Sequence, residues 1–202
     1  MHWNSAGATP ARNWFRSTAA PAALNDRAVE TCRRLITSTM IGRMSELWFA
    51  TAHLDVERLL SDWRWLVPNR MTLVARNAFG DLFLRDDLGA VLRLDVAIGK
   101  LTTVADSESQ FRELAETGEK RRDWFAESNE LAAAARGLKP DATQCIGFSV
   151  PLVFAESGSR DSPYVVDLYE HVSFLGDLNR QISSLPDGAK VRLRVGQRPV
   201  EP

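Results

Sequence analysis

Residues 78–105 read AFGDLFLRDDLGAVLRLDVAIGKLTTVA, and this run decides the fold. Short apolar stretches rich in leucine and valine alternate along it with turn residues, which is typical of β-strands joined by tight connections. The turns are Asp-Asp-Leu-Gly at 86–89 and Ala-Ile-Gly-Lys at 97–100. Together with the preceding residues, the run predicts strands at 72–75, 82–85, 91–95 and 101–105. Strands that follow one another in this way form a β-meander.

A helix is predicted directly before the meander. Asp55 has the character of a helix cap, and Pro68 ends the helical pattern. Apolar residues recur between them at helical spacing, at Val56, Leu59, Leu60 and Trp63. We therefore expect one continuous helix that packs on the sheet.

Two helices are predicted after the meander. Ser107 and Gln110 have the spacing of a capping box, which places a helix start there. The inward positions of this helix are Phe111, Leu114 and Ala115. A second helical segment ends at Gly137 and carries Trp124, Phe125, Leu131 and Ala135.

Strands return at 144–150 and 164–166, and the last well-defined helix starts at Asp167, with Glu170 three residues later. Its inner face is Leu168, Val172, Leu175, Leu178 and Ile182. Alternating basic and apolar residues at 190–195 predict a half-buried final strand. The fold class is therefore α+β: a single domain, 44–202, with an antiparallel or mixed sheet, made of the meander and the later strands, packed by helices. Residues 1–43 are expected to be a poorly ordered or partly helical extension. Met40 and Met44 are alternative start sites for translation, so the sequence does not decide whether this extension is translated.

Charge is unevenly distributed along the chain. The net charge of -1 combines six arginines and two acids in 1–43 with a tail, 190–202, of four basic residues and one acid. The body between them, 44–189, therefore carries about -8. An acidic body repels nucleic acid and attracts basic partners, so we expect no direct nucleic-acid partner.

The apolar runs are far shorter than the roughly 20 residues that cross a bilayer, which predicts a cytoplasmic protein without a membrane partner.

The sequence contains no recognisable catalytic or cofactor motif. Cys32 and Cys145 are far apart and have no further ligand at metal-site spacing, so neither a metal nor a cofactor is expected. Asp167 and His171 are four residues apart on one helix and could act as partial ligands or catalytic groups, but a capping role for the aspartate is favoured. The glycines near 80, 89 and 99 match no phosphate-binding fingerprint.

Two groups of residues are candidates for partner binding. Trp63 and Trp65 lie only two residues apart, so either one faces the core and the other is an exposed anchor, or both are core. The acidic residues Asp86 and Asp87 at the first hairpin turn, with Glu156 and Asp161 on a later loop, form a possible acidic docking surface. Turn chemistry alone also accounts for these acids.

The order of several short blocks resembles a known family. The blocks are Asp62-Trp63-Arg64-Trp65-Leu66, Ala78-Phe79-Gly80-Asp81-Leu82-Phe83, Gly89-Ala90-Val91, Leu94-Asp95, Gly99-Lys100-Leu101, Cys145 to Pro151, Val166-Asp167-Leu168, His171-Val172-Ser173 and Gly176 to Gln181. In this order, over about 55–195, they are similar to the C-terminal domain family of type VI secretion DNase-immunity proteins, within the wider SUKH-like group of toxin-neutralising proteins.

The resemblance implies a binding protein and not an enzyme. Its expected partner is a cognate nuclease-type toxin, neutralised by stoichiometric binding. Two other hypotheses stay open: a regulatory or scaffold module without a toxin partner, and an enzyme that uses Asp167 and His171.

Overall fold

The computed structural model describes residues 48–67, 69–154, 157, 162–186 and 188–191. The chain is an α+β protein, as predicted. The helical elements of the described part are α1 (Val56–Leu59), a 3-10 helix (Ser61–Trp63), α2 (Glu108–Glu116), α3 (Gly118–Trp124), α4 (Glu127–Ala135) and α5 (Leu168–Ile182). The strands are β1 (Thr72–Arg76), β2 (Leu82–Arg85), β3 (Val91–Asp95), β4 (Lys100–Ala105), β5 (Gln144–Phe148) and β6 (Pro163–Asp167).

The first four strands form an antiparallel sheet in the order β1-β2-β3-β4. The predicted meander is thus confirmed, with each strand boundary within one residue of its expected place. In the central pair, Leu82 lies opposite Leu94 and Leu84 opposite Leu92. Because the strands are antiparallel, the β2–β3 turn and the β3–β4 turn lie at opposite ends of β3.

Both faces of the sheet are buried along β1 and β2, where successive residues point to opposite sides and nearly all are buried, whereas β4 is largely exposed. Leu82 and Leu84 of β2 contact a core that includes Trp63 and the inner face of α5. Phe83, between them, belongs to a second core with Phe111 of α2 and with Trp124 and Phe125 at the end of α3. The sheet is therefore the middle layer, between α2–α4 on one side and α1, the 3-10 helix and α5 on the other.

The prediction of one continuous helix between Asp55 and Pro68 is wrong, because the chain forms α1 and a separate 3-10 helix there. Asp55 does cap α1, since its side chain accepts a hydrogen bond from the backbone N–H of Arg58 at 3.1 Å. The chain then tightens into the 3-10 helix, in which residues three apart lie on the same side. Leu60 and Trp63 consequently both reach the core and are fully buried.

The second helical segment after the meander is also divided. Ser107 caps α2 as predicted, accepting from the N–H of Gln110 at 3.2 Å. The chain then forms α3 and α4, separated at Ala126, which has a φ of 49°. This break turns the neighbouring Trp124 and Phe125 into the core together. Alanine favours helices, so the sequence carried no signal for a break there.

The later strands do not join the first sheet, contrary to expectation. β5 and β6 form a separate antiparallel pair, which the backbone N–H of Ile146 connects to the carbonyl of Ala78 at 2.7 Å. Asp167 caps α5, accepting from the N–H of Glu170 at 3.0 Å, and the inner face of α5 is buried as predicted except for the partly buried Ile182. The expected extension 1–43 and most of the strand at 190–195 lie outside the described residues. Within the described ranges, no helix has the length and apolar character needed to span a membrane.

Candidate functional site

The β2–β3 turn presents an exposed tip made of Asp87 and Leu88. Asp86 builds this turn: its Oδ1 accepts hydrogen bonds from the N–H groups of Leu88 and Ala90, both at 2.9 Å. Gly89 completes it with a φ of +95°, in the left-handed region that glycine adopts without strain. Asp87 is exposed, and Leu88 is 93% exposed. Turn chemistry therefore accounts for Asp86, and Asp87 and Leu88 are left facing solvent.

The two tryptophans have different environments. Trp63 is fully buried, and its Nε1 donates a hydrogen bond to the carbonyl of Val172 at 2.9 Å. Trp65 stacks on it with ring centroids 6.0 Å apart and is 38% exposed. Trp65 is thus the member of the pair that a partner can reach.

Trp65 contributes to a groove of about 370 Å³, called here the apolar groove because most residues that line it are apolar, although polar atoms supply slightly more than half of its exposed surface. Four of the seven exposed large apolar side chains in the described part line this groove, namely Trp65, Ile98, Leu185 and Val191. Asn179 of α5 supports the wall by donating from Nδ2 to the carbonyl of Val96 at 3.1 Å. Such a concentration of exposed apolar side chains is characteristic of a surface that binds another molecule.

The predicted site residues do not form one surface. Ile98, beside Trp65 in the groove, lies in the β3–β4 turn, whereas Asp86 and Asp87 lie in the β2–β3 turn. These turns are at opposite ends of β3. The other two predicted acids, Glu156 and Asp161, lie outside the described residues.

Asp167 and His171 do not form a ligand pair, because the Asp167 carboxylate caps α5. The imidazole of His171 lies between Gly80 and Gly147: a Cβ at either glycine would be 3.1 or 3.3 Å from a ring atom. It is hydrogen-bonded to the backbone carbonyl of Phe79, and burial lowers its pKa to about 4. In the described part of the chain, no group of three or more His, Cys, Asp or Glu side chains is arranged to hold a metal ion.

A buried polar network lies at the start of β2, and sequence reasoning missed it. Asp81 accepts from Arg93 Nη2 at 2.7 Å, from the N–H of Val96 at 3.1 Å and from Asn77 Nδ2 at 2.9 Å. Asp95 also faces Arg93, and burial raises its pKa to about 6. The alternation on β3 was a usable signal in part, because it places Arg93 on the same side of the sheet as the buried Val91, where a cation needs an acidic partner.

A second buried polar cluster consists of Arg76 of β1, Trp48 and Glu130 of α4. The sequence analysis did not predict it. Trp48 Nε1 donates to Glu130 Oε2 at 3.0 Å, and all three residues are at most 5% exposed. Burial raises the pKa of Glu130 to about 7. The contact bridges 82 positions of sequence, so no local pattern indicated it.

No family model and no curated protein matches this chain. The fold and the surface define an α+β domain with two separate exposed features, the acidic hairpin tip and the apolar groove.

Proposed function

We propose that this chain is a cytoplasmic immunity protein that binds a nuclease-type toxin one to one and blocks its active site or substrate groove. The observation that carries the proposal is the β2–β3 tip, where an exposed acid, Asp87, stands beside an almost fully exposed leucine, Leu88. The family resemblance of the sequence blocks, from Trp63 to Gln181, points to the same class of protein.

The shape of the tip suits this role. A tight turn is convex, and a nuclease binds its substrate in a concave, basic groove because it must hold phosphates. The tip is rigid: the Asp86 carboxylate and the backbone pair Asp86 N–H to Ala90 C=O, at 3.0 Å, hold its conformation. A rigid tip loses little conformational entropy on binding.

The charge and the apolar side chain make different contributions. The acidic body, about -8 over 44–189, speeds the encounter with a basic toxin and makes it sensitive to salt. Burial of Leu88 in the complex contributes about 1.5–3 kcal/mol, since its side chain is almost entirely exposed in the free protein. Asp87 therefore acts mainly on the association rate and Leu88 mainly on the dissociation rate.

The test is co-expression of the full chain with the toxin candidate encoded beside its gene, scoring growth and co-purification together. We expect rescue and a one-to-one complex with the wild-type chain. Asp87→Lys should slow association, and Leu88→Ser should speed dissociation. Glu170→Lys, an equal charge change at an exposed position of α5, is the matched control. Full growth rescue and unchanged rates in both tip variants would remove the tip from the proposal; failure of the wild-type chain against an active toxin would remove the immunity function.

The apolar groove favours a second candidate, a regulatory or scaffold module that holds a cellular protein. Trp65→Ala separates the two candidates. In an immunity protein that acts through its tip, Trp65→Ala leaves growth rescue unchanged. A wild-type chain that rescues no neighbouring toxin, yet has a cellular partner whose binding Trp65→Ala weakens, is a module of the second kind.

A further inference from the structure

The guanidinium of Arg76 donates three hydrogen bonds to backbone carbonyl oxygens. Its Nη1 donates to Gln144 at 3.0 Å, and its Nη2 donates to Asp141 and Ala142 at 3.0 and 3.1 Å. Its Nε is buried and has no acceptor among the described residues. A buried N–H without an acceptor costs about 1–3 kcal/mol, so this atom calls for a partner.

Arg76 is among the residues that line a small cavity. The cavity measures about 10 Å³, close to the space that one water molecule needs, and is lined by Trp48, Arg76, Asn77, Ala78, Glu130 and Pro140. Arg76 and Glu130 are the two charged residues among those that line it. A water here would accept a hydrogen bond from Arg76 Nε and form a second one with the Glu130 carboxyl group, which gives it the two polar partners that a buried water requires.

Trp48 lines this cavity and has three kinds of contact with α3 and α4. Its ring stacks on Phe125 with centroids 4.1 Å apart, and the guanidinium of Arg121 lies 5.2 Å from the ring centroid. Its Nε1 donates to Glu130. Within residues 48–50, Trp48 contacts α3 and α4 through its ring and one titratable group, while Phe49 packs on Phe111 of α2 and on Phe125, with ring centroids 6.3 and 6.0 Å apart.

We propose that Trp48, Glu130 and Arg76, with one water in their cavity, form a latch that holds residues 48–50 against α3 and α4 and loosens as the pH rises through neutrality. Three other charged groups are close to the latch. Arg121 of α3 pairs with Glu127 of α4 at 3.2 Å, and Asp141 lies near Arg76. Burial has the largest effect and raises the pKa of Glu130 to about 7, with a small contribution from Glu127 in the same direction. The hydrogen bond from Trp48 and the charge of Arg76 favour ionisation but do not offset burial.

The latch opens as the pH rises because opening is linked to the ionisation of Glu130. While the latch is closed, Glu130 keeps its proton up to about pH 7; once the latch opens, water reaches the carboxyl group and its pKa returns toward 4.5. The ratio of open to closed forms is therefore constant at low pH, rises between about pH 4.5 and 7, and is constant again above. The difference between the two pKa values limits the rise to about 300-fold.

The test uses hydrogen exchange of tryptophan indole N–H groups in the full-length, nitrogen-15-labelled chain, with Trp48→Phe to assign the Trp48 signal. Protection of the Trp48 indole, corrected for intrinsic exchange, should fall by tens of fold between pH 5 and 8. In Glu130→Gln, which keeps an acceptor for Trp48, protection should not change with pH. The Trp63 indole is the internal control, because it is equally buried and bonded to a backbone carbonyl.

Protection of Trp48 that is independent of pH, or that falls in parallel with that of Trp63, would overturn the latch. The wild-type chain alone supplies this comparison if Glu130→Gln does not fold. The water has its own readout, a nuclear Overhauser effect between Arg76 Hε and a long-lived water. If that contact is absent, the cavity is dry and the water is removed from the proposal.

Discussion

Gly176 of α5 packs directly on Trp63: a Cβ at this glycine would lie 2.9 Å from Trp63 Nε1 and 2.9 Å from the carbonyl oxygen of Asp62. One of these neighbours is backbone and the other is a fully buried ring, so neither can move away without disturbing the core. This contact sets how closely α5 approaches the 3-10 helix.

Gly176→Ala should therefore destabilise the protein by about 2 kcal/mol, because overpacking outweighs the gain of roughly 1 kcal/mol from helix propensity. Gly118→Ala is the matched control, since a Cβ there would meet only the flexible end of Arg122 at 3.5 Å. The control should be neutral or stabilised by up to about 1 kcal/mol. Urea unfolding followed by circular dichroism measures both, and equal effects at the two sites would contradict the close packing.

Asp81→Asn should cost about 3–5 kcal/mol, because it leaves the guanidinium of Arg93 buried without its main partner. The exposed pair Arg112–Glu108, at 2.8 Å, provides the comparison. Arg112→Gln should change the free energy of unfolding by less than about 0.5 kcal/mol, since water screens this pair. A loss of less than about 1 kcal/mol for Asp81→Asn, measured by the same urea titration, would mean that Arg93 finds another partner.

Much of the fold was predictable because its signals are local. The four strands of the meander follow from short apolar stretches and from turns such as that of Asp86, whose carboxylate accepts hydrogen bonds from the N–H groups of its own turn. The caps of α2 and α5 likewise involve residues three positions apart. The break at Ala126 was not predictable, because only the packing of Trp124 and Phe125 imposes it.

The candidate site was predictable in part. The acidic tip is local, so its residues could be named from the sequence. The groove requires Trp65, Ile98 and Val191 to meet from segments far apart in the chain, and only the tertiary fold brings them together. The same holds for Glu130, whose partners are Trp48 and Arg76.

His171 should make the protein less stable in acid. Its pKa is depressed from 6.5 to about 4, so between these values the unfolded chain binds a proton that the folded protein does not. Stability from this group is complete above pH 6.5 and is lost as the pH falls toward 4, by up to about 3 kcal/mol. His171→Gln removes the titration while Glu130 and Asp95 still titrate as in the wild type, so the difference between the two proteins isolates it. We expect the stability advantage of the wild type at pH 7 to shrink at pH 4.5 in urea unfolding, and a constant difference would contradict the assignment.

Substitutions of Asp86 and Asp87 should have different effects, the first on the stability of the protein and the second on its association with the toxin. Asp86→Ala removes the acceptor of two backbone hydrogen bonds at 2.9 Å and should cost about 1–2 kcal/mol. Asp87→Ala removes an exposed side chain and should leave the free energy of unfolding within about 0.5 kcal/mol. If Asp87→Ala nevertheless slows association with the toxin, and does so less at high salt, then Asp87 acts through its charge in the encounter. A slower association that is the same at low and high salt would assign the effect of Asp87 to a direct contact in the complex.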